Sequence, residues 1–176
     1  MPNRLKTAIM YLMILVDIIV VILLILSFLG GLKDGAVKTG SSLVALIISI
    51  PLTTFSYKVL TSLLSFLPGE NWQNFLGFFI TMGIISIILH IVFFLTRKLI
   101  GAVWKKGVFF RLLGGALSLV GAIIGMVVFV LLVQTYPIFD WLARWVSGSD
   151  VLTGLVNAFS FVRTLLPEAF KSSIVA

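Results

Sequence analysis

The chain has 176 residues, of which 60% are hydrophobic and 11% charged, and its formal net charge is +7. Soluble domains carry about 25% charged residues, so this composition excludes a soluble domain and predicts an all-α, polytopic membrane protein. The basic residues flank apolar stretches, which favours membrane lipids over nucleic acid as their partner. Without cysteine the chain has no disulfide, thiol nucleophile or thiolate metal site.

The first predicted span covers residues 8–29, which are mostly apolar and follow a short basic start. The stretch is too long for a signal peptide and no small-x-small cleavage site follows it, so we expect an uncleaved helix. Asp17 lies inside this span, and an intramembrane carboxylate usually faces a partner, a cavity or an interface. We interpret it as the interfacial start of the span, with an ion or proton site as the alternative.

A glycine-rich segment at residues 30–40 predicts a tight turn, because glycine gives the backbone the freedom to reverse direction. The candidate cytoplasmic turn residues are Gly31, Lys33, Gly35 and Lys38. The second span, residues 42–57, contains Pro51, which removes a helical hydrogen bond. We expect a kinked helix buried among others, with a re-entrant segment as the alternative.

The third span, residues 75–95, has His90 as its one ionisable residue. A lone histidine in a span is more often a hydrogen-bonded structural group than a proton relay. Asp17, Pro51 and His90 together are the candidate intramembrane polar site.

The fourth predicted span covers residues 112–133. A basic segment precedes this span, and its basic residues are Arg97, Lys98, Lys105, Lys106 and Arg111. No acidic residue lies between Glu70 and Asp140. Uncompensated basic clusters stay in the cytoplasm and contact anionic lipid. This rule predicts that both short basic loops are cytoplasmic and that both termini are extracytoplasmic.

Small residues recur along the fourth span. They are Gly114, Ser118, Gly121, Ala122 and Gly125. A spacing of four places small residues on one helix face, where another backbone can approach closely. We interpret the pattern as helix packing rather than a narrow solute path. Leucine should therefore be damaging at all five of these positions, whereas Val127 and Val128 are expected to face outward and tolerate it.

Residues 1–136 thus form a predicted four-span module, and residues 137–176 an interfacial tail. In the tail, residues 150–166 predict one amphipathic helix with a polar stripe on an otherwise apolar surface. The stripe residues are Thr153, Asn157, Ser160 and Thr164. Because one side is polar, this helix is expected to lie at the interface rather than to span.

The order of several short motifs resembles the CvpA family, the colicin V production proteins. The first is an acidic residue that opens the first span, here Asp17. The others are Gly31-Leu32-Lys33-Asp34-Gly35-Ala36-Val37-Lys38 with Ser42-Leu43 behind it, Arg111-Leu112-Leu113-Gly114 with Ser118 and Ala122, Ser149 before the last helix, and Pro167-Glu168. The sequence departs from the family pattern at Asp34, Phe110 and Gly121.

The resemblance implies a small, multi-pass protein of the bacterial inner membrane that is not an enzyme and needs no cofactor or metal. The family's role, as the resemblance implies it, is accessory or scaffolding, in envelope homeostasis or in colicin V-type toxin production and export. Implied partners are membrane lipids, further copies of the chain or other envelope proteins. The alternative from the residues is a small oligomeric channel or transporter lined by the polar positions.

Overall fold

The computed structural model describes residues 2–101 and 107–166, with side chains described at residue 11 and over 14–94 and 107–166. The described residues form seven helices and no strand, which confirms the predicted all-α class. The helices are α1 (Pro2–Asp34), α2 (Ala36–Leu63), α3 (Glu70–Gly101), α4 (Val108–Thr135), α5 (Asp140–Gly148), α6 (Asp150–Ala158) and α7 (Phe161–Leu165).

Four helices contain stretches long and apolar enough to cross a membrane, which confirms the predicted number of spans. These stretches are Ile14–Asp34, Ala36–Leu63, Glu70–Phe94 and Val108–Thr135. Each overlaps one predicted span. The first ends later than predicted, and the second extends beyond its predicted bounds at both ends.

The connection between α1 and α2 is a single residue, Gly35. Its φ is 78°, a backbone conformation that residues with a Cβ rarely adopt. The predicted turn is therefore shorter in the structure, with Gly31 and Lys33 in the last turn of α1 and Lys38 in the first turn of α2. Lys38 Nζ lies 2.7 Å from Asp34 Oδ1, so a salt bridge spans the break.

The helix α2 continues without interruption through Pro51. Hydroxyls next to the proline bond to their own helix: Ser49 Oγ donates to Leu46 O at 2.8 Å, and Thr53 Oγ1 donates to Ser49 O at 2.6 Å. Such bonds satisfy hydroxyls inside an apolar layer. The helix α2 is thus one uninterrupted helix that is long enough to cross a membrane.

The long helices lie side by side in the order α1–α4–α2–α3. Contacts between named pairs give their directions: Gly31 with Gly114, Ser27 with Ser118, Gly40 with Leu117, Leu43 with Gly121, Ser42 with His90, and Thr61 with Gly77. α4 is therefore antiparallel to α1 and parallel to α2, and α3 is antiparallel to α2. The N-terminal part of α1, the α2–α3 loop and the end of α4 lie at one end of the bundle.

Among the described helices, α4 contributes the most buried residues to the core. Its buried residues are Gly114, Gly115, Ile123, Ile124, Val127, Val128, Val130, Leu131, Leu132 and Val133. The prediction that Val127 and Val128 face outward is wrong, because each is only 1% exposed. The reason is that α1, α2 and all three short helices pack on α4, which leaves this half of the helix little surface for lipid.

The helices α5, α6 and α7, here called the cap, cover the end of the bundle where α4 finishes. Where one helix was predicted over residues 150–166, α6 ends at Ala158 and α7 begins at Phe161, and α5 precedes them. The division lets apolar residues of each short helix reach the core: Val146, Leu152, Val156 and Val162. All four residues of the predicted polar stripe are exposed.

Candidate functional site

The predicted polar site is not assembled in one place. Asp17 bonds to the cap, His90 bonds to Ser42 of α2, and Pro51 lies within α2. At 1.5 Å rise per residue, Asp17 is roughly 27 Å along its helix from Gly35, whereas Ser42 is roughly 10 Å from it. Asp17 and His90 therefore lie at different depths, on α1 and α3, the two helices at opposite ends of the row.

Asp17 is joined to the cap through Ser149. The Ser149 Oγ donates a hydrogen bond to Asp17 Oδ1 and accepts one from the backbone N–H of Leu152 at 3.1 Å. The serine side chain is fully buried and that of Asp17 is half-buried. One hydroxyl thus connects the first span to the start of α6.

Local backbone geometry puts Ser149 in this position. It lies between α5 and α6 in an extended conformation and is the N-cap of α6. Serine is favoured at N-caps because its oxygen satisfies an otherwise unpaired helix N–H. The Asp17 carboxylate next to this helix start also interacts favourably with the positive end of the helix dipole. The contact combines a cap, a charge-assisted hydrogen bond and a dipole interaction.

At the same end of the bundle, Tyr136 follows α4 and is buried. Burial raises the pKa of Tyr136 above its ordinary value, and a hydrogen bond with Tyr57 raises it further. The phenol is therefore neutral at physiological pH. The bond connects α2 to the end of α4, close to where the cap begins.

The small residues of α4 do not all pack against the same helix. Gly114 and Ser118 meet α1: a Cβ on Gly114 would lie 2.5 Å from Gly31 O, which leaves no room for a side chain. By contrast, a Cβ on Gly121 would make an ordinary contact of 3.6 Å with Leu43 of α2, and one on Gly125 would meet nothing within 4 Å. Ala122 is partly buried.

Reciprocal hydrogen bonds accompany the close approach of α1 and α4. Ser27 Oγ donates to Ser118 O at 3.0 Å, and Ser118 Oγ donates to Ser27 O at 2.7 Å. Ser27 is not among the residues predicted for helix packing, and Gly31 was predicted only as part of the turn. The spacing of four between Ser27 and Gly31 was the available signal, since it matches that of Gly114 and Ser118.

The remaining predicted residues lie toward the Gly35 end. His90 is exposed on α3, and its Nε2 lies 3.3 Å from Ser42 Oγ. Arg111 is exposed at the start of α4. The side chains of Arg97 and Lys98, together with all of Lys105 and Lys106, lie outside the described residues. Among the described residues no cluster of three or more His, Asp or Glu could hold a metal ion.

Comparison with known proteins gives one family. The family model described as "Colicin V production protein" matches residues 16–160, which is well over half of the chain and includes both Asp17 and Ser149. No curated protein and no solved structure matches the chain.

Proposed function

The chain belongs to the family of colicin V production proteins, and from this membership we propose that it is a non-enzymatic accessory or scaffold protein of the bacterial inner membrane. Its proposed role is to support toxin production and export or envelope homeostasis. Its proposed partners are further copies of itself or other envelope proteins.

The observation that carries this proposal is the composition of the core. Every buried residue of α4 is glycine or aliphatic. Buried hydroxyls in the neighbouring helices bond to nearby carbonyls of their own helix, as Thr53 does with Ser49 and Thr81 does with Gly77 at 2.6 Å. A conduction path needs polar groups or water along its length. The described part of a single chain supports a packed bundle better than such a path.

Reconstitution into liposomes distinguishes the scaffold hypothesis from the channel hypothesis. Purified protein in liposomes should give proton and potassium flux equal to that of protein-free liposomes, while an added ionophore confirms that the assay responds. Oligomeric state would be measured on the same preparation. Flux that Asp17→Asn or His90→Leu abolishes, with normal folding of the variant, would contradict the scaffold and support the channel.

A complementation experiment tests the toxin role directly. A bacterium that carries colicin V genes but lacks its own family member would express this chain, and toxin release would be scored by the zone of killing on a sensitive lawn. We expect the wild-type chain and Ala116→Leu, a change at an exposed position of α4, to restore release. Restoration by Gly114→Leu to the wild-type level would contradict a role that depends on the packed bundle.

A further inference from the structure

The two arginines of the cap differ in how their side chains are satisfied. Arg144 of α5 is exposed, and its Nε donates to Asp140 O at 3.2 Å. Arg163 of α7 is only partly exposed and forms no salt bridge with a described residue. Among the described residues, Arg163 Nε is the one buried side-chain nitrogen or oxygen that has no hydrogen-bond partner.

The neighbours of Arg163 hold it in this position. Val162 is 0% exposed and Leu166 is 3% exposed, and both belong to the core. Thr54 Oγ1 of α2 also donates to Leu165 O at 3.4 Å. Because the chain is packed on both sides of Arg163, α7 cannot turn its Nε into water without breaking these contacts. A buried donor of a charged group is costly when it is unpaired, so its partner must be water, an ion or a ligand.

The described carboxylates at this end of the bundle have other environments. Asp17 accepts the hydrogen bond of Ser149. Asp140 and Asp150 are exposed in the first turns of α5 and α6, where the helix dipole stabilises a negative charge. The acceptor for Arg163 therefore comes from outside the described residues.

The depth of α7 indicates which acceptor it meets. Thr54, which contacts α7, lies roughly 29 Å along α2 from Gly35. Lys33 and Lys38 flank Gly35 and mark one boundary of the membrane. The hydrocarbon core is about 30 Å thick and the headgroups lie just outside it. The opposite boundary is therefore at the level of α7, where lipid phosphates surround the protein.

Phosphate also suits the chemistry of the side chain. The planar guanidinium matches the spacing of phosphate oxygens and forms strong, charge-assisted hydrogen bonds with them. A phosphate accepts the N–H and compensates the charge, whereas water only accepts the N–H. The exposed part of Arg163 leaves a ligand room to approach.

We propose that Arg163 binds the phosphate of one phospholipid from the leaflet on the cap side, with its buried Nε as a donor. The proposal concerns a ligand site and does not rest on the proposed accessory role, so failure of one leaves the other standing.

Native mass spectrometry of the full chain in a maltoside detergent tests this site. The probes are phosphatidylglycerol and monoglucosyl diacylglycerol, a phosphate-free lipid, with identical acyl chains. Arg163→Gln should lower the affinity for phosphatidylglycerol about three- to tenfold, as loss of a charge-assisted hydrogen bond at a partly exposed site does. It should not change the affinity for the phosphate-free lipid. Arg144→Gln, which removes the same charge from the arginine whose Nε is paired, is the matched control and should change neither affinity.

Thermal unfolding in the same detergent gives a second readout. Without lipid, Arg163→Gln should unfold at the wild-type temperature or above it, because the wild-type donor is then unpaired. Added phosphatidylglycerol should raise the unfolding temperature of the wild type more than that of the variant.

Equal affinity of the wild type for the two lipids would overturn the proposal, and this result needs no variant. Equal affinity of the wild type and a correctly folded Arg163→Gln for phosphatidylglycerol would overturn it as well. Full competition by inorganic phosphate would assign Arg163 to a free anion instead. A preference for phosphatidylglycerol that appears only in Glu168→Gln would assign Arg163 to a carboxylate of the chain itself.

Discussion

Ser149 shows how much one buried hydroxyl can connect. Its hydroxyl donates a hydrogen bond to the Asp17 carboxylate and accepts one from the backbone N–H of Leu152. A helix cap contributes about 0.5–2 kcal/mol, and a hydrogen bond to a charged group about 1.5–3 kcal/mol. Asp17 therefore has a protein partner, and the two residues are expected to act as a unit.

The first prediction is a coupling between Asp17 and Ser149. Ser149→Ala should lower the free energy of unfolding by about 1–3 kcal/mol, because it removes the cap and leaves the carboxylate without its donor. Adding Asp17→Asn to that variant should cost less than it costs in the wild type. The unfolding free energy of the wild type, both single variants and the double variant would be measured in mixed micelles. Tryptophan fluorescence, to which Trp141 and Trp145 of the cap contribute, would report unfolding.

Ser147→Ala is the matched control for this cycle, since Ser147 is an exposed serine of α5. We expect it to leave the unfolding free energy unchanged. Strictly additive effects of Asp17→Asn and Ser149→Ala would show that the hydrogen bond does not couple the first span to the cap.

At the scale of the elements, the crossing of α1 and α4 depends on small residues from both helices. Gly31 and Gly114 approach too closely for a side chain on either one, and Ser27 and Ser118 bond reciprocally one turn away. Apolar side chains gain little by leaving lipid, so close packing and hydrogen bonds must hold the two helices together.

The second prediction follows from that crossing. Gly114→Leu and Ser118→Leu should each lower the free energy of unfolding by about 1–3 kcal/mol, as overpacking does in other cores. Ala116→Leu is the control, because Ala116 lies between them on α4 but is exposed. Thermal unfolding in detergent would rank the variants. Equal destabilisation by all three would mean that α4 has no specific packing face against α1.

The third prediction concerns the contact between α2 and α3. A Cβ on Gly77 would lie 3.3 Å from the Thr61 backbone and would clash with its hydroxyl, whereas one on Gly83 would meet nothing. Gly77→Leu should therefore lower the unfolding temperature. Gly83→Leu should keep or raise it, because replacing glycine within a helix reduces the entropy of the unfolded chain. The hypothesis of a close crossing at Gly77 fails if both variants melt at the same temperature.

At the scale of the whole molecule, the bundle has two chemically different ends. One end holds the Gly35 break, with Lys33 and Lys38 on either side of it, and Arg111 near the start of α4. The other holds the cap and an aromatic cluster in which Trp72 contacts Phe139 at 5.3 Å between ring centroids and Trp141 contacts Trp145 at 4.7 Å. Aromatic clusters are typical of membrane interfaces, and basic clusters of the cytoplasmic side.

The fourth prediction is the orientation of these ends. The chain has no cysteine, so a single introduced cysteine reports one position. Asn157→Cys, on the exposed side of the cap, should react with an impermeant thiol reagent in intact cells. Asp34→Cys, beside the Gly35 break, should react only after permeabilisation. The reverse pattern would place the cap in the cytoplasm and refute the positive-inside assignment.

The sequence by itself determined the class of protein, the number of spans and the location of the basic segments. Each of these depends on the length and composition of a continuous stretch, and such local properties survive in any arrangement of the helices. The glycine-rich break before α2 was visible for the same reason, since turn preferences act within a few residues.

Only the tertiary structure decided which faces of the helices meet. In a membrane both the lipid-facing and the buried residues are apolar, so hydrophobic periodicity does not distinguish them. For that reason Val127 and Val128 were assigned to the lipid although they are buried. The contact between Asp17 and Ser149 joins residues 132 positions apart, and nothing local to either one specifies its partner. It exists because α4 is antiparallel to α1 and returns the chain to the end of the bundle where the first span begins.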